Sequence, residues 1–143
     1  MNNSYTTHSP EETEKLGFKL AKELSNGRVV GLSGNLGSGK TVFTKGFAKG
    51  MGISEVVQSP TFIVMNIYPV HEGKVKSLAH VDCYRLDDEH ELREIGIEDY
   101  FNESSVVVIE WAEKITPLLP DNAIQIAFEV VNETDRKITI SGF

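Results

Sequence analysis

Val29-Val30-Gly31-Leu32-Ser33-Gly34-Asn35-Leu36-Gly37-Ser38-Gly39-Lys40-Thr41 carries an apolar run straight into a segment that meets the phosphate-cradling pattern G-x-x-x-x-G-K-[ST] at every fixed position. A loop that wraps a phosphate must turn its backbone N–H groups inward. Residues lacking a Cβ permit the φ values and the close approach this needs. Gly34, Gly37 and Gly39 supply that freedom, so the amides of Asn35, Leu36, Gly37, Ser38 and Gly39 become the candidate phosphate cradle. Lys40 is suited to placing an ammonium on the β- and γ-phosphates, and the Thr41 hydroxyl to completing a Mg²⁺ shell otherwise filled by phosphate oxygens and water. The bland alternative is a glycine-rich turn between strand and helix with no ligand.

The flanks support the first reading. Phe43, Phe47 and Met51 recur every four residues with Ala48 beside them, which predicts a helix opening at the loop, and Gly50 and Gly52 follow as stop signals. The dipole at the start of that helix would face the phosphates. Upstream, Ser9-Pro10-Glu11-Glu12 reads as a capped helix start whose buried face is Leu16, Leu20, Ala21 and Leu24. Asn26-Gly27 ends that helix and feeds a strand from Arg28 to Ser33. The expected opening order is therefore helix, strand, loop, helix.

Further along, a β-rich strand is expected from Thr61 to Tyr68, with Pro69 ending it or placing it at a sheet edge. The turn His71-Glu72-Gly73-Lys74 returns the chain as an antiparallel strand from Val75 to Asp82. Asp87-Asp88 are suited to capping a short acidic helix running to Glu94. Val106-Val107-Val108-Ile109 reads as a strand buried on both faces, and Ala123 to Val131 and Lys137 to Ser141 as two more. The fold class is α/β: a single phosphate-loop NTPase domain over residues 1–143 with a mixed parallel and antiparallel sheet flanked by helices.

At 143 residues one domain can bury an adequate core without disulfides or structural metal. Cys83 is the only cysteine, which excludes an internal disulfide and fits a reducing, cytoplasmic setting. The polar stretch from Met1 to Pro10 resembles neither a signal nor a transit peptide, and no run is long enough to span a bilayer, so a soluble protein is expected. With 21 acidic against 14 basic side chains, the formal charge of −7 argues against broad charge-driven nucleic-acid binding by this chain alone.

Phosphate loops usually need a second acid at the end of a buried strand to fix the Mg²⁺ shell or the attacking water. Glu110 follows the Val106 to Ile109 run directly; its competing role is to solvate the strand exit or pair with a lysine such as Lys114. Asp82 ends the segment Ser77-Leu78-Ala79-His80-Val81 and is suited to orienting water, taking a proton or reaching metal through water; otherwise it is a turn-forming Asp. His80, two residues earlier on the same strand face, is better suited to orienting neighbours than to ligating metal. Arg85 has two readings, a charge stabiliser for the phosphates and a surface arginine. In Ser59-Pro60-Thr61 the Thr61 hydroxyl is placed to sense a γ-phosphate, or the segment is simply the entry to a strand. The absence of an Asn-Lys-x-Asp segment favours adenine over guanine.

Taken together, the phosphate loop, Ser59-Pro60-Thr61-Phe62, His80-Val81-Asp82-Cys83-Tyr84-Arg85-Leu86 and Ile109-Glu110-Trp111-Ala112-Glu113 resemble, in order and spacing, the TsaE (YjeE) family over nearly the whole chain. The resemblance implies an ATPase using ATP and Mg²⁺ that works with TsaD and TsaB in forming N6-threonylcarbamoyladenosine at adenosine 37 of tRNA, touching tRNA only through the complex. ATP binding would promote docking on the partner pair and hydrolysis would reset it. Carried over by similarity, Lys40 matches the phosphate lysine and Thr41 and Glu110 the Mg²⁺ ligands. Asp82 matches the acid needed for hydrolysis, so Lys40 and Asp82 are the catalytic candidates. Trp111 matches a tryptophan near the nucleotide, although core packing serves it equally. The adenine would lie between the helix start around Ser9 and Pro10 and the late turn near Asp135 and Arg136. Asn35, Ser38 and Cys83 depart from the residues common in the family, and none of the three is a proposed side-chain ligand. Two other readings compete: a small-molecule kinase with the same opening motif, and an ATP-gated binding module that does not require hydrolysis.

Overall fold

The computed structural model describes residues 2–55, 57–58, 65–86 and 89–143. In chain order the elements are β1 (Asn3–Thr7), α1 (Pro10–Glu23), β2 (Val29–Gly34), α2 (Lys40–Gly50), β3 (Met65–Pro69), β4 (Ser77–Asp82), α3 (His90–Glu94), a 3₁₀ turn (Ile97–Tyr100), β5 (Ser105–Glu110), a kinked 3₁₀ segment (Ala112–Leu118), β6 (Ile124–Val130) and β7 (Arg136–Ser141). The strands form one seven-stranded sheet in the order β1-β7-β6-β2-β5-β4-β3. Its centre, β6-β2-β5-β4, is parallel, while β3, β7 and β1 are antiparallel to their neighbours. The fold is therefore the mixed α/β sheet expected, with β3 and its Pro69 at an edge where a missing N–H is tolerated.

Alternation along the strands sorts the core into two layers. Val30 and Leu32 of β2, Leu78 of β4 and Val106 and Val108 of β5 face α1 and α2, packing with Leu20, Ala21, Phe43 and Phe47. Val29, Ala79, Val81, Val107 and Ile109 face the other way, onto Leu92, Ile97, Ala112, Ile115 and Leu118. Phe43 and Phe47 are wholly buried. Each such side chain contributes about 1.5–3 kcal/mol through apolar burial. β5 is buried along its whole length because it pairs on both edges and is covered on both faces.

The structure corrects the opening order, since β1 precedes α1. Four of the five β1 residues are exposed, so no apolar alternation marks the strand; it exists because β7 offers an edge, with Tyr5 opposite Ile138. At the start of α1, Ser9 Oγ accepts from the Glu12 N–H at 3.1 Å as expected of a cap. The reciprocal bond shifts by one residue, because Glu12 Oε1 accepts from the N–H of His8 at 3.2 Å. Leu20 and Ala21 are buried on α1, with Leu16 and Leu24 partly so.

Asn26-Gly27 is not the helix stop. The helix ends at Glu23, and Gly27 lies where an added Cβ would stand 2.0 Å from the Asn102 carbonyl oxygen. Likewise Gly50 is the last residue of α2 and Gly52, at φ 81°, is its left-handed stop. Asp87-Asp88 and Ser59-Pro60-Thr61-Phe62, including the Thr61 candidate, lie outside the described residues. Of the helix expected to reach Glu94, the part from His90 is described, and Glu89 precedes it without a side-chain cap. Among the described residues, no helix is long and apolar enough to cross a membrane.

Candidate nucleotide site

Three parallel strands deliver the site. β2 ends at Gly34, β4 at Asp82 and β5 at Glu110, and the register sets Asp82 directly opposite Glu110. The period-2 alternation points His80, Asp82 and Glu110 to the α2 face of the sheet, where Lys40 and Thr41 begin the helix. Ligands of open α/β sheets bind at this carboxyl end.

Between β2 and α2 the loop takes the backbone its glycines permit. Gly37 has φ 78° and Gly39 φ 105°, both in the left-handed region, and the N–H of Phe43 donates to the Gly39 carbonyl at 2.9 Å to start the helix. Around Gly37 an added Cβ would meet nothing within 4 Å, so this part of the loop opens onto free space. The loop, Thr41, Asp82, Tyr84, Glu110 and Trp111 enclose a cavity of 340 Å³, within the range of small-molecule sites.

Lys40 is buried and folded back on the loop. Its Nζ donates to the carbonyls of Gly34 at 2.5 Å and Asn35 at 3.0 Å, and it lies 4.0 Å from the centroid of the Trp111 ring. Burial pulls the ammonium below the usual lysine range, against the opposing pull of Glu113, Glu110 and Asp82. A cation so desolvated gains from an arriving anion.

Thr41 Oγ1 donates to Glu110 Oε1 at 2.9 Å. The expected alternative partner of Glu110, Lys114, instead donates to the Tyr84 carbonyl. Glu110 is 2% exposed, so it does not solvate the strand exit. Its second oxygen, Oε2, accepts from His80 Nε2 at 2.6 Å. Asp82 is half-buried, and burial raises its carboxyl above the ordinary range while the Tyr84 N–H, donating to Oδ1 at 2.9 Å, works the other way. Two adjacent oxygen donors, Thr41 and Glu110, suit Mg²⁺, which keeps water and phosphate for its remaining positions. Among the described residues no group of three or more His, Cys, Asp or Glu side chains could cage a metal.

Trp111 has the core contacts weighed for it and a face turned to the phosphate loop as well. It packs partly against the core and also stands over Lys40, with its ring 5.1 Å from that of Tyr84. It alone among the described non-glycine residues has a positive φ, 62°, which turns the chain sharply from β5 into the 3₁₀ segment. That turn brings in Glu113, to which sequence reading assigned no role: its Oε2 accepts from the Gly34 N–H at 3.2 Å at the base of the loop. On the far rim, Arg136 Nη2 donates to the Gly37 carbonyl at 3.1 Å and His8 Nδ1 meets Asp135 Oδ1 at 3.0 Å. Arg136 is thereby joined to the phosphate loop, and the helix start beside Ser9 to the Asp135 turn. Arg85 is exposed, and it does not line the cavity.

A left-handed glycine loop between a parallel strand and a helix, with acids at the neighbouring strand ends, defines a phosphate-loop α/β protein. Within that class the family model described as "Threonylcarbamoyl adenosine biosynthesis protein TsaE" matches residues 7–138, and the chain belongs to the TsaE family. It is 40% identical over 138 residues to the tRNA threonylcarbamoyladenosine biosynthesis protein TsaE of Bacillus subtilis, covering 96% of this chain and 84% of that one. The Treponema pallidum protein of the same name is 36% identical, covering 94% of this chain and 97% of its own. A crystal structure of Bacillus subtilis YdiB superposes with a TM-score of 0.81 at 34% identity, covering 98% of this chain and 84% of that chain.

Proposed function

We propose that the chain is a Mg²⁺-dependent ATPase that supports formation of N6-threonylcarbamoyladenosine at adenosine 37 of tRNA by binding the TsaB–TsaD pair and driving its turnover. The observation that carries the reading is the convergence of Lys40, Thr41, Asp82 and Glu110 on one cavity at the carboxyl end of the sheet. The pathway rests on the relatives, which are named as threonylcarbamoyladenosine biosynthesis proteins.

In this reading the amides from Asn35 to Gly39 and the Lys40 ammonium hold the phosphates, exchanging the loop carbonyls that Lys40 now contacts for phosphate oxygens. Thr41 and Glu110 would hold Mg²⁺, which when bound supplies charge neutralisation to the phosphates. Asp82 orients the attacking water and accepts its proton, a task favoured by burial that lifts its basicity. Trp111 and Tyr84 wall the cavity on one side, and Arg136 holds the loop tip at Gly37. Hydrolysis by the isolated chain is expected to be slow, with partner docking completing the site.

The test is the ATP hydrolysis rate with Mg²⁺, alone and with TsaB and TsaD. Strong stimulation by the pair, abolished in Asp82→Ala with ATP binding retained, is the expected result. ATP binding without stimulated hydrolysis would replace this reading with a nucleotide-gated module, and phosphorylation of a metabolite would replace it with a kinase.

A further inference from the structure

His80 occupies an unusual position for a polar ring. It sits in the largely buried strand Ser77-Leu78-Ala79-His80-Val81-Asp82, is 0% exposed, and lies in the register between Val108 on β5 and Asn66 on β3. Its Nδ1 is buried with no hydrogen-bond partner among the described residues. Its Nε2 has one, Glu110 Oε2 at 2.6 Å. A carboxylate only accepts, so Nε2 is the donor in this bond. A buried ring that leaves one nitrogen unsatisfied calls for an explanation, since an apolar residue would fill this strand position without that cost. Its single bond reaches the carboxylate whose other oxygen meets Thr41 at 2.9 Å.

We propose that His80 is a positioning residue for the Mg²⁺ site, its Nε2–H fixing the Glu110 carboxylate in the orientation that faces Thr41. The inference rests on the Mg²⁺ reading of Thr41 and Glu110. Glu110 ends a strand on which all six residues are buried, and among the described residues His80 is the hydrogen-bond donor to its second oxygen. Without His80 that oxygen loses its donor, and the carboxylate is free to turn away from Thr41. Partners behind a metal ligand act in this way, by fixing orientation rather than by touching the ion.

The experiment measures ATP binding to the full chain by calorimetry, in EDTA and across a Mg²⁺ series, with thermal denaturation of each variant in parallel. The variants are His80→Leu, His80→Asn and His80→Gln. Glutamine places an N–H close to the position of Nε2, whereas the shorter asparagine does not reach it. The half-saturating Mg²⁺ concentration should rise about tenfold in His80→Leu and His80→Asn, while ATP affinity in EDTA stays within about twofold and His80→Gln recovers most of the wild-type Mg²⁺ requirement. Should His80→Leu fail to fold, the contrast between Asn and Gln decides by the same criterion. A wild-type Mg²⁺ requirement in the variants lacking the donor would overturn the proposal. Equal losses with and without Mg²⁺ in all variants, tracking their melting temperatures, would overturn it too, since that is what a purely structural histidine gives. If ATP binding to the wild type ignores Mg²⁺, it is the underlying Mg²⁺ reading that falls.

Discussion

The two ends of the parallel strands β2, β4 and β5 are built on opposite principles. At the amino end most polar groups find partners: Arg28 Nη2 donates to the Asn122 carbonyl at 2.6 Å and the Gly142 carbonyl at 2.7 Å, although its Nε is buried with no partner among the described residues, the Ser77 and Ser105 hydroxyls meet at 3.0 Å, and the Gly27 N–H donates to the Glu103 carbonyl at 2.8 Å. At the carboxyl end, burial acts on Lys40 and Asp82 against their charged forms, and Trp111 holds a left-handed backbone. The larger cavity, 420 Å³, is at the amino end between the tails of α1 and α2, against 340 Å³ at the phosphate loop. What distinguishes the carboxyl end is charge kept under desolvation, which in the function proposed above an arriving phosphate would relieve.

If that contrast is right, damage at the amino end should cost stability and spare binding, and damage at the carboxyl end should do the reverse. Gly27→Ala is expected to have the largest effect. Its new Cβ would stand 2.0 Å from the Asn102 carbonyl oxygen and 2.5 Å from that of Ser105, both backbone atoms, so strands must shift. Urea unfolding should show a loss on the order of 3 kcal/mol, while the folded fraction binds ATP with wild-type affinity. An equal loss of ATP affinity would mean that the two ends are mechanically coupled. Lys40→Ala comes next: ATP affinity measured by calorimetry should fall by about 1.5–3 kcal/mol, the worth of hydrogen bonds to a charged group. The midpoint of unfolding should hold or rise, since a desolvated ammonium is removed. A marked drop in stability would show that the Lys40 contacts to the Gly34 and Asn35 carbonyls hold the fold rather than wait for phosphate.

The same contrast explains what the sequence disclosed. The phosphate loop, α2 and β5 were legible because chemistry and periodicity coincide there: glycines where φ is positive, phenylalanines four apart, and an apolar run buried on both faces. Glu110 and Asp82 were legible as strand ends. β1 was not, because Asn3-Ser4-Tyr5-Thr6-Thr7 has no buried stripe and owes its conformation to the open edge of β7. Glu113 was quoted in a motif without a role. Its bond to Gly34 depends on a left-handed turn at Trp111 and on the register of β2 against β5, neither of which leaves a local signal. The bond from His80 to Glu110 is likewise a product of register, since His80 lies opposite Val108 and reaches the next residue on that face. Pairings of this kind become readable once the strands are in order.

The smallest expected effect tests the sharpest part of the comparison, that the carboxyl end gives up stability for chemistry. Asp82→Asn keeps an oxygen for the Tyr84 N–H, which now donates to Oδ1 at 2.9 Å, and removes the half-buried charge. Because burial raises the folded carboxyl above its ordinary 3.8, the folded state holds its proton more tightly than the unfolded chain does. Below that ordinary value both states are protonated and the variant gains nothing. As the pH climbs through the window between the unfolded and the raised folded value, the wild type loses stability that the variant keeps. Above the folded value the gain is complete, a small rise in the urea midpoint. Partner-stimulated hydrolysis should be lost over the same range. A variant that is less stable than wild type at neutral pH would show that Asp82 is held by favourable contacts, and that the acid end of β4 is not built at the expense of the fold.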